Sequence, residues 1–223
     1  MSSNARMMRA RHLFSSLLLG AVIAGCSGTP AQQSASSPPR MTAEPETHAV
    51  FSPPPLADEW TKWIVGEWEG GGQGNAGKGQ GKTRFELALG GQFLISRGEA
   101  KIPGLDPEYL KKHMHATDEE IERFRRSGYQ ALEVYTLDEK TGEVIAYLFD
   151  SLRCIACGRG RRDGVREIVE WEWRTGDKSR RITERVSADQ MRIVERTSNP
   201  DGTVMEDSGV MTRVTSGRRT QAK

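Results

Sequence analysis

Three groups of residues in this chain are of types that carry chemistry: the pair in Cys154-Ile155-Ala156-Cys157, the imidazoles of His113-Met114-His115, and the carboxylates Glu170 and Glu172 flanking Trp171. A Cys-x-x-Cys pair is redox-active when it opens a helix whose N-terminus lowers one thiol's pKa. This pair instead stands between two strand-like segments and is followed by Gly158-Arg159-Gly160-Arg161-Arg162. A local disulfide between Cys154 and Cys157 is therefore expected outside the cytosol, with a thiol-disulfide or peroxide-handling role, aided by the neighbouring arginines, as the alternative. One such pair is not a zinc site. Imidazole and thioether suit copper, but side chains two apart on a helix diverge, so His113 and His115 are read as surface residues and no metal is assigned. Alternation puts Glu170 and Glu172 on the face opposite Trp171 and Trp173, the solvent side of a strand. With no Gly-x-Ser-x-Gly and no His-Glu-x-x-His in the chain, no catalytic residue is named.

The compartment is written at the N-terminus. Arg6, Arg9 and Arg11 precede the apolar run Leu13 to Ala24, the pattern of an export leader over residues 1–25. As a helix the run would rise about 18 Å against a hydrocarbon core of about 30 Å, too short for a permanent span. Ile23-Ala24-Gly25-Cys26 resembles the bacterial lipobox, which implies lipidation of Cys26 and cleavage before it; Ser27 after the cysteine favours the periplasmic face of the outer membrane. Residues 26–55 form a tether rich in Ser, Thr, Ala, Gln and Pro, holding seven of the chain's ten prolines, a composition that stays extended and builds no core.

The apparent basicity of the chain comes largely from its ends. Between Leu56 and Ser216 there are 25 Lys and Arg against 28 Asp and Glu, with both signs interleaved, so no phosphate-tracking stripe and no nucleic-acid partner is expected.

Residues 56–216 suffice for one domain, followed by a tail at 217–223. A short helix at Leu56–Lys62 leads into nine strand-like segments: Trp63–Gly70, Thr83–Leu89, Phe93–Ala100, Tyr129–Leu137, Val144–Ser151, Val165–Arg174, Arg180–Val186, Met191–Thr197 and Thr203–Val214. Gly90-Gly91, Asp138 to Gly142, Asp163-Gly164, Gly176-Asp177 and Asn199 to Gly202 supply hairpin turns. Successive antiparallel strands without crossover helices predict an all-β, antiparallel up-and-down barrel, since closure removes exposed edges. On the first strand Ile64, Gly66, Trp68 and Gly70 share a face, and the glycines are read as making room for the tryptophan. A helical insertion interrupts the pattern at 103–126. Asp106-Pro107 and Thr117-Asp118-Glu119-Glu120 start two helices, with Leu110 and Met114 on one and Ile121 and Phe124 on the other. They form either a lid over a barrel mouth or an outside appendage.

Gly66-Glu67-Trp68-Glu69-Gly70, the Gly90-Gly91-Gln92-Phe93-Leu94 turn, Gly128-Tyr129 and the late Met211-Thr212-Arg213 together resemble the calycin, or lipocalin-like, barrels. More narrowly they are similar to a bacterial lipocalin-like family of unknown function to which nitrobindin is distantly related. The resemblance covers Leu56 to Val214 apart from the insertion. It implies that Gly66, Trp68 and Arg213 close one end, with the guanidinium across the indole face. Haem ligation, as in nitrobindin, would need a histidine late in the chain, whereas the histidines are His12, His48, His113 and His115; no cofactor is expected. The resulting expectation is a membrane-anchored envelope lipoprotein whose barrel binds or carries a small apolar molecule, with Trp68, Phe85, Phe93 and Trp171 as pocket walls. A filled barrel serving as an envelope interaction module is the remaining alternative.

Overall fold

The first ordered turn is fixed by Asp58, whose carboxylate accepts from the Thr61 amide at 3.0 Å and the Thr61 hydroxyl at 2.6 Å. This cap starts helix α1, Glu59–Ile64. Trp60, Trp63 and Ile64 fall on one buried face of it, so Trp63 and Ile64 belong to the helix and not to the first strand; their i, i+3, i+4 spacing outweighs the short alternation that follows. The computed structural model describes residues 53–215, except 115, 175, 200 and 201 and the side chains of 113 and 114. The leader, Cys26, most of the tether and the tail lie outside the described residues.

Ten strands follow: β1 Gly66–Gly74, β2 Gly77–Ala88, β3 Phe93–Lys101, β4 Tyr129–Leu137, β5 Val144–Asp150, β6 Ile155–Asp163, β7 Arg166–Trp173, β8 Lys178–Arg185, β9 Gln190–Ser198 and β10 Val204–Arg213. Each pairs antiparallel with the next, and β10 returns to β1, closing an up-and-down barrel. Glycines at the turns carry the positive φ that hairpins need, among them Gly90, Gly142, Gly164, Gly176 and Gly202. The insertion between β3 and β4 forms α2, Pro107–Met114, and α3, Asp118–Ser127. Asp106 Oδ1 accepts from the amides of Glu108 and Tyr109 at the start of α2, and Thr117 with Glu120 makes a capping box on α3.

The extra strand is β6, which occupies the segment expected to connect two strands. Its glycines and arginines disguise an ordinary alternation, with Ala156 and Gly158 inward and Cys157 and Arg159 outward. Gly158 faces Trp171 across the pair, and a Cβ there would lie 2.8 Å from the indole Cε3. This is where a glycine makes room for a tryptophan. On β1 the glycines serve a different purpose: a Cβ on Gly70 would lie 2.1 Å from the Val210 carbonyl oxygen, so its absence lets β1 and β10 close against each other.

Two apolar clusters sit at different levels of the barrel. One gathers Trp60, Trp63 and Ile64 of α1 with Trp68, Phe85, Leu94, Tyr135, Leu148 and Trp171. The other packs Leu110, Ile121 and Phe124 of the insertion on Ala76, Ala100, Tyr129, Ala131 and Met205. These partners are inward-facing strand residues and the β1–β2 hairpin tip, so the helices cover the mouth opposite α1. The Asp106 amide donates to the Ala76 carbonyl at 2.9 Å and ties the cover to that tip.

Candidate functional site

At the α1 end, Arg213 is the last residue of β10 and pairs in register with Trp68 on β1. Its Cζ lies 4.2 Å from the centre of the Trp68 ring. Its Nη1 donates to the Val65 carbonyl at 2.7 Å and its Nη2 to the Trp63 carbonyl, so the guanidinium also satisfies the C-terminal carbonyls of α1. Gly66 has φ of +132°, and a Cβ there would meet Arg213 Nη1 at 2.7 Å; both the backbone and the contact call for glycine. Trp68 donates its Nε1 proton to the Ile64 carbonyl at 2.8 Å, and Trp60, Trp63 and Trp68 pack in sequence, tilted and then edge-on, with centroids 4.9 and 5.3 Å apart. This end is a sealed plug.

Of the four expected wall residues, Trp68, Phe85 and Trp171 share one buried apolar cluster. Phe93 stands half-buried on the outer face, because the inward positions of β3 are Leu94 and Ser96. The cysteines also depart from expectation. Cys154 is buried, Cys157 is exposed, and no disulfide joins them. Cys154 immediately precedes β6 and is buried, whereas Cys157 lies on the outward face of that strand, so the two thiols point to opposite sides of the sheet. The same separation leaves the thiol-disulfide reading without an adjacent pair. Among the described residues no group of three His, Cys, Asp or Glu could hold a metal ion.

What the inward positions do bring together is a charged layer between the two apolar clusters. Arg181 on β8, 3 % exposed, donates from Nη1 to Glu133 of β4 at 2.6 Å and from Nε to Glu195 of β9 at 2.8 Å. The first of these bonds spans the lumen as a strut. Glu195 also accepts from the Ser179 hydroxyl at 2.7 Å, and Glu133 accepts from the Tyr135 hydroxyl. Arg181 Cζ lies 5.2 Å from the Trp171 ring centre. Burial alone would lower the Arg181 pKa, but Glu133 and Glu195 outweigh it and hold the guanidinium firmly charged. Burial, reinforced by Glu133, pushes the Tyr135 phenol well up. A second guanidinium, Arg162, holds Glu167 at 2.9 Å and Asp58 at 2.7 Å, locking α1 to the barrel.

Next to this layer, Asp207 of β10 stands directly across from Glu195. It is fully buried, and burial followed by the Glu195 charge pushes its pKa up to about 8. Its Oδ1 accepts from the Asn75 amide at 3.3 Å. Arg181 Nη2, Thr197 Oγ1 and Asp207 Oδ2 are buried and have no hydrogen-bond partner among the described residues. Sequence reading passed over these residues, although a signal was present: Glu133, Glu195 and Asp207 occupy the inward phase of their strands, where an apolar residue is the rule.

Two open grooves of about 1010 and 710 Å³ lie on the outside of β1–β4, walled by Glu69, Lys82, Arg84, Arg97 and Glu99. Their mixed charge is that of a solvated face.

No family model matches this chain and no curated protein is similar to it. Solved structures with a similar barrel include the S-type phycobiliprotein lyase CPES from Guillardia theta, at 9 % identity, TM-score 0.46, and coverage of 71 % of this chain and 92 % of that one. The redesigned barrel mFAP1 bound to DFHBI gives 11 % identity, TM-score 0.37, and coverage of 69 % and 97 %. A protein of unknown function of the DUF3598 family from Nostoc punctiforme gives 10 % identity, TM-score 0.24, and coverage of 71 % and 100 %. At such identities and scores the likeness is one of barrel architecture and carries no functional inference.

Proposed function

We propose that this chain is an envelope lipoprotein, anchored through Cys26 at the periplasmic face of the outer membrane, whose barrel binds or carries a small molecule that is mostly apolar with one polar end. The observation that carries the reading is that, of seven buried side-chain polar atoms without partners among the described residues, three, Arg181 Nη2, Thr197 Oγ1 and Asp207 Oδ2, stand on inward positions of three consecutive strands. Buried polar groups are nearly always hydrogen-bonded, so these three are suited to a guest's polar end or to water accompanying it. Trp171, 5.2 Å from Arg181 Cζ, belongs to a buried apolar cluster with Tyr135 and Leu148 that suits the rest of such a molecule. Eight strands already suffice to hold one small ligand, and ten enclose a wider lumen.

The anchoring half of the proposal is tested by intact mass and membrane partition: the parent should carry acyl chains and sediment with membranes, and Cys26→Ser should do neither. The container half is tested by titrating an amphiphilic fluorescent dye into the Cys26→Ser chain. Saturable uptake at one site, weakened by Thr197→Val, is expected. A barrel filled by its own side chains would take up none, and that result would leave the interaction-module reading in place of this one.

A further inference from the structure

The charged layer is short of positive charge. Glu133 and Glu195 share a single guanidinium, Arg181, and Asp207 beside Glu195 pairs with none, while Arg162 is occupied by Glu167 and Asp58. In register, Glu195 stands between Arg181 on β8 and Asp207 on β10, and Arg181 spends Nε and Nη1 on the two glutamates. Asp207 receives only a backbone amide on one oxygen, and its other oxygen is fully buried without a partner among the described residues. Asp207 thus faces the Glu195 carboxyl with the layer's cation on the far side of it, an arrangement that disfavours charge on Asp207. The asymmetry is therefore local to Asp207.

Its surroundings complete a receptor. Met205 lies two residues away on the same face of β10, and the Tyr109 hydroxyl of α2 donates to its sulfur at 3.2 Å. Asp207 thus sits just inside the cover formed by the insertion, and its charge, after burial, raises the Tyr109 pKa. The β1–β2 tip closes the opposite side through Asn75. The groups facing Asp207 are Glu195 from β9, Tyr109 from α2 and the Asn75 amide, with Glu206 beside it on its own strand. None of these is a cation.

We infer that Asp207 is the receptor for the polar end of the guest, and that this end is an organic ammonium. The inference rests on the container reading above and names the ligand class of that same site. An ammonium supplies the missing positive charge, gives Asp207 Oδ2 a charge-assisted hydrogen bond, and stands near the aromatic Tyr109. At Asp207 an anionic end would face Glu195 and Glu206 with no cation beside it. On binding, the protonated carboxyl of Asp207 releases its proton to solvent and becomes the carboxylate that pairs with the ammonium; no other bond changes.

The test uses the Cys26→Ser chain with three probes of one tail: octylamine, octanol and octanoate. Calorimetry should show octylamine binding about tenfold or more tighter than octanol, the scale of one charge-assisted hydrogen bond, and octanoate binding weakest. Repeating the octylamine titration in buffers of different ionisation enthalpy should show release of about one proton near neutral pH, as linkage requires; octanol should release none. Asp207→Asn keeps the shape of the protonated carboxyl, so it should fold and lose both the preference for octylamine over octanol and the proton release. Octanoate matching or exceeding octylamine would overturn the inference while leaving the container standing, as would an unchanged preference in Asp207→Asn. Binding of none of the three probes would remove the container reading and this inference together.

Discussion

Replacing Arg181 by methionine removes the guanidinium while keeping most of the side chain's length. The residue is 3 % exposed, and its partners Glu133 and Glu195 are 2 % and 0 % exposed, so the variant leaves two carboxylates in the lumen without their cation. Breaking a buried ion pair by removing one partner costs about 3–5 kcal/mol, a large share of the 5–15 kcal/mol or so that holds a typical domain. Urea unfolding followed by tryptophan emission at pH 8 should therefore show a much lower midpoint with an unchanged slope. The loss should shrink on acidification. A buried negative charge without its cation is costly, and protonation removes that charge. Adding Glu133→Gln and Glu195→Gln to Arg181→Met should restore most of the stability at pH 8, because neutral side chains of the same shape still accept from Tyr135 and Ser179. A loss below about 1 kcal/mol, or one equal at both ends of the pH range, would refute the description of this layer as desolvated and mutually dependent.

Two further outcomes follow from the same geometry. Trp68→Ala should cost about 3–5 kcal/mol as a buried aromatic truncation, Arg213→Ala less, and a double-mutant cycle should show coupling of about 0.5–2 kcal/mol; strict additivity in the unfolding data would contradict the 4.2 Å contact. Asp207 has a folded pKa of about 8 against an ordinary 3.8, so the native state keeps a proton that the unfolded chain has lost. Stability should fall as pH rises between those two values and level off above the higher one. Asp207→Asn should remove that decline, and parallel pH profiles for parent and variant would rule it out.

The architecture was legible because most strands alternate cleanly. Tyr129–Leu137 has the boundaries predicted for it, and the two insertion helices begin at the caps read from Asp106 and Thr117. The failures have physical causes. β6 was missed because its inward positions are alanine and glycine, which carry no hydrophobic signal; their smallness is set by Trp171 on the neighbouring strand, a constraint written elsewhere in the chain. Trp63 and Ile64 were misassigned because a single turn of helix and the start of a strand look alike over a few residues. The charged layer could not be assembled from sequence, since Arg181 and Glu133 lie 48 residues apart and meet only when the barrel closes. Arg180 and Arg181 are adjacent and chemically identical, so the strand alone does not say which of them faces inward.

Closure by the first and last strands also dictates when this protein can fold. The bond between Arg213 and Val65 joins residues 148 apart, and closing a loop of that length costs about 4 kcal/mol of chain entropy before any constant term, against about 2 kcal/mol for a ten-residue hairpin. Hairpins can therefore form and dissolve early, while the plug of tryptophans acquires its guanidinium only after the final strand is available. Topology of this kind belongs to the slow end of single-domain folding. Until β10 docks, β1 offers an unpaired edge and the lumen's charged wall stays wet. Arg213, the last residue of β10, thus makes commitment to the folded state wait for the last strand of the barrel.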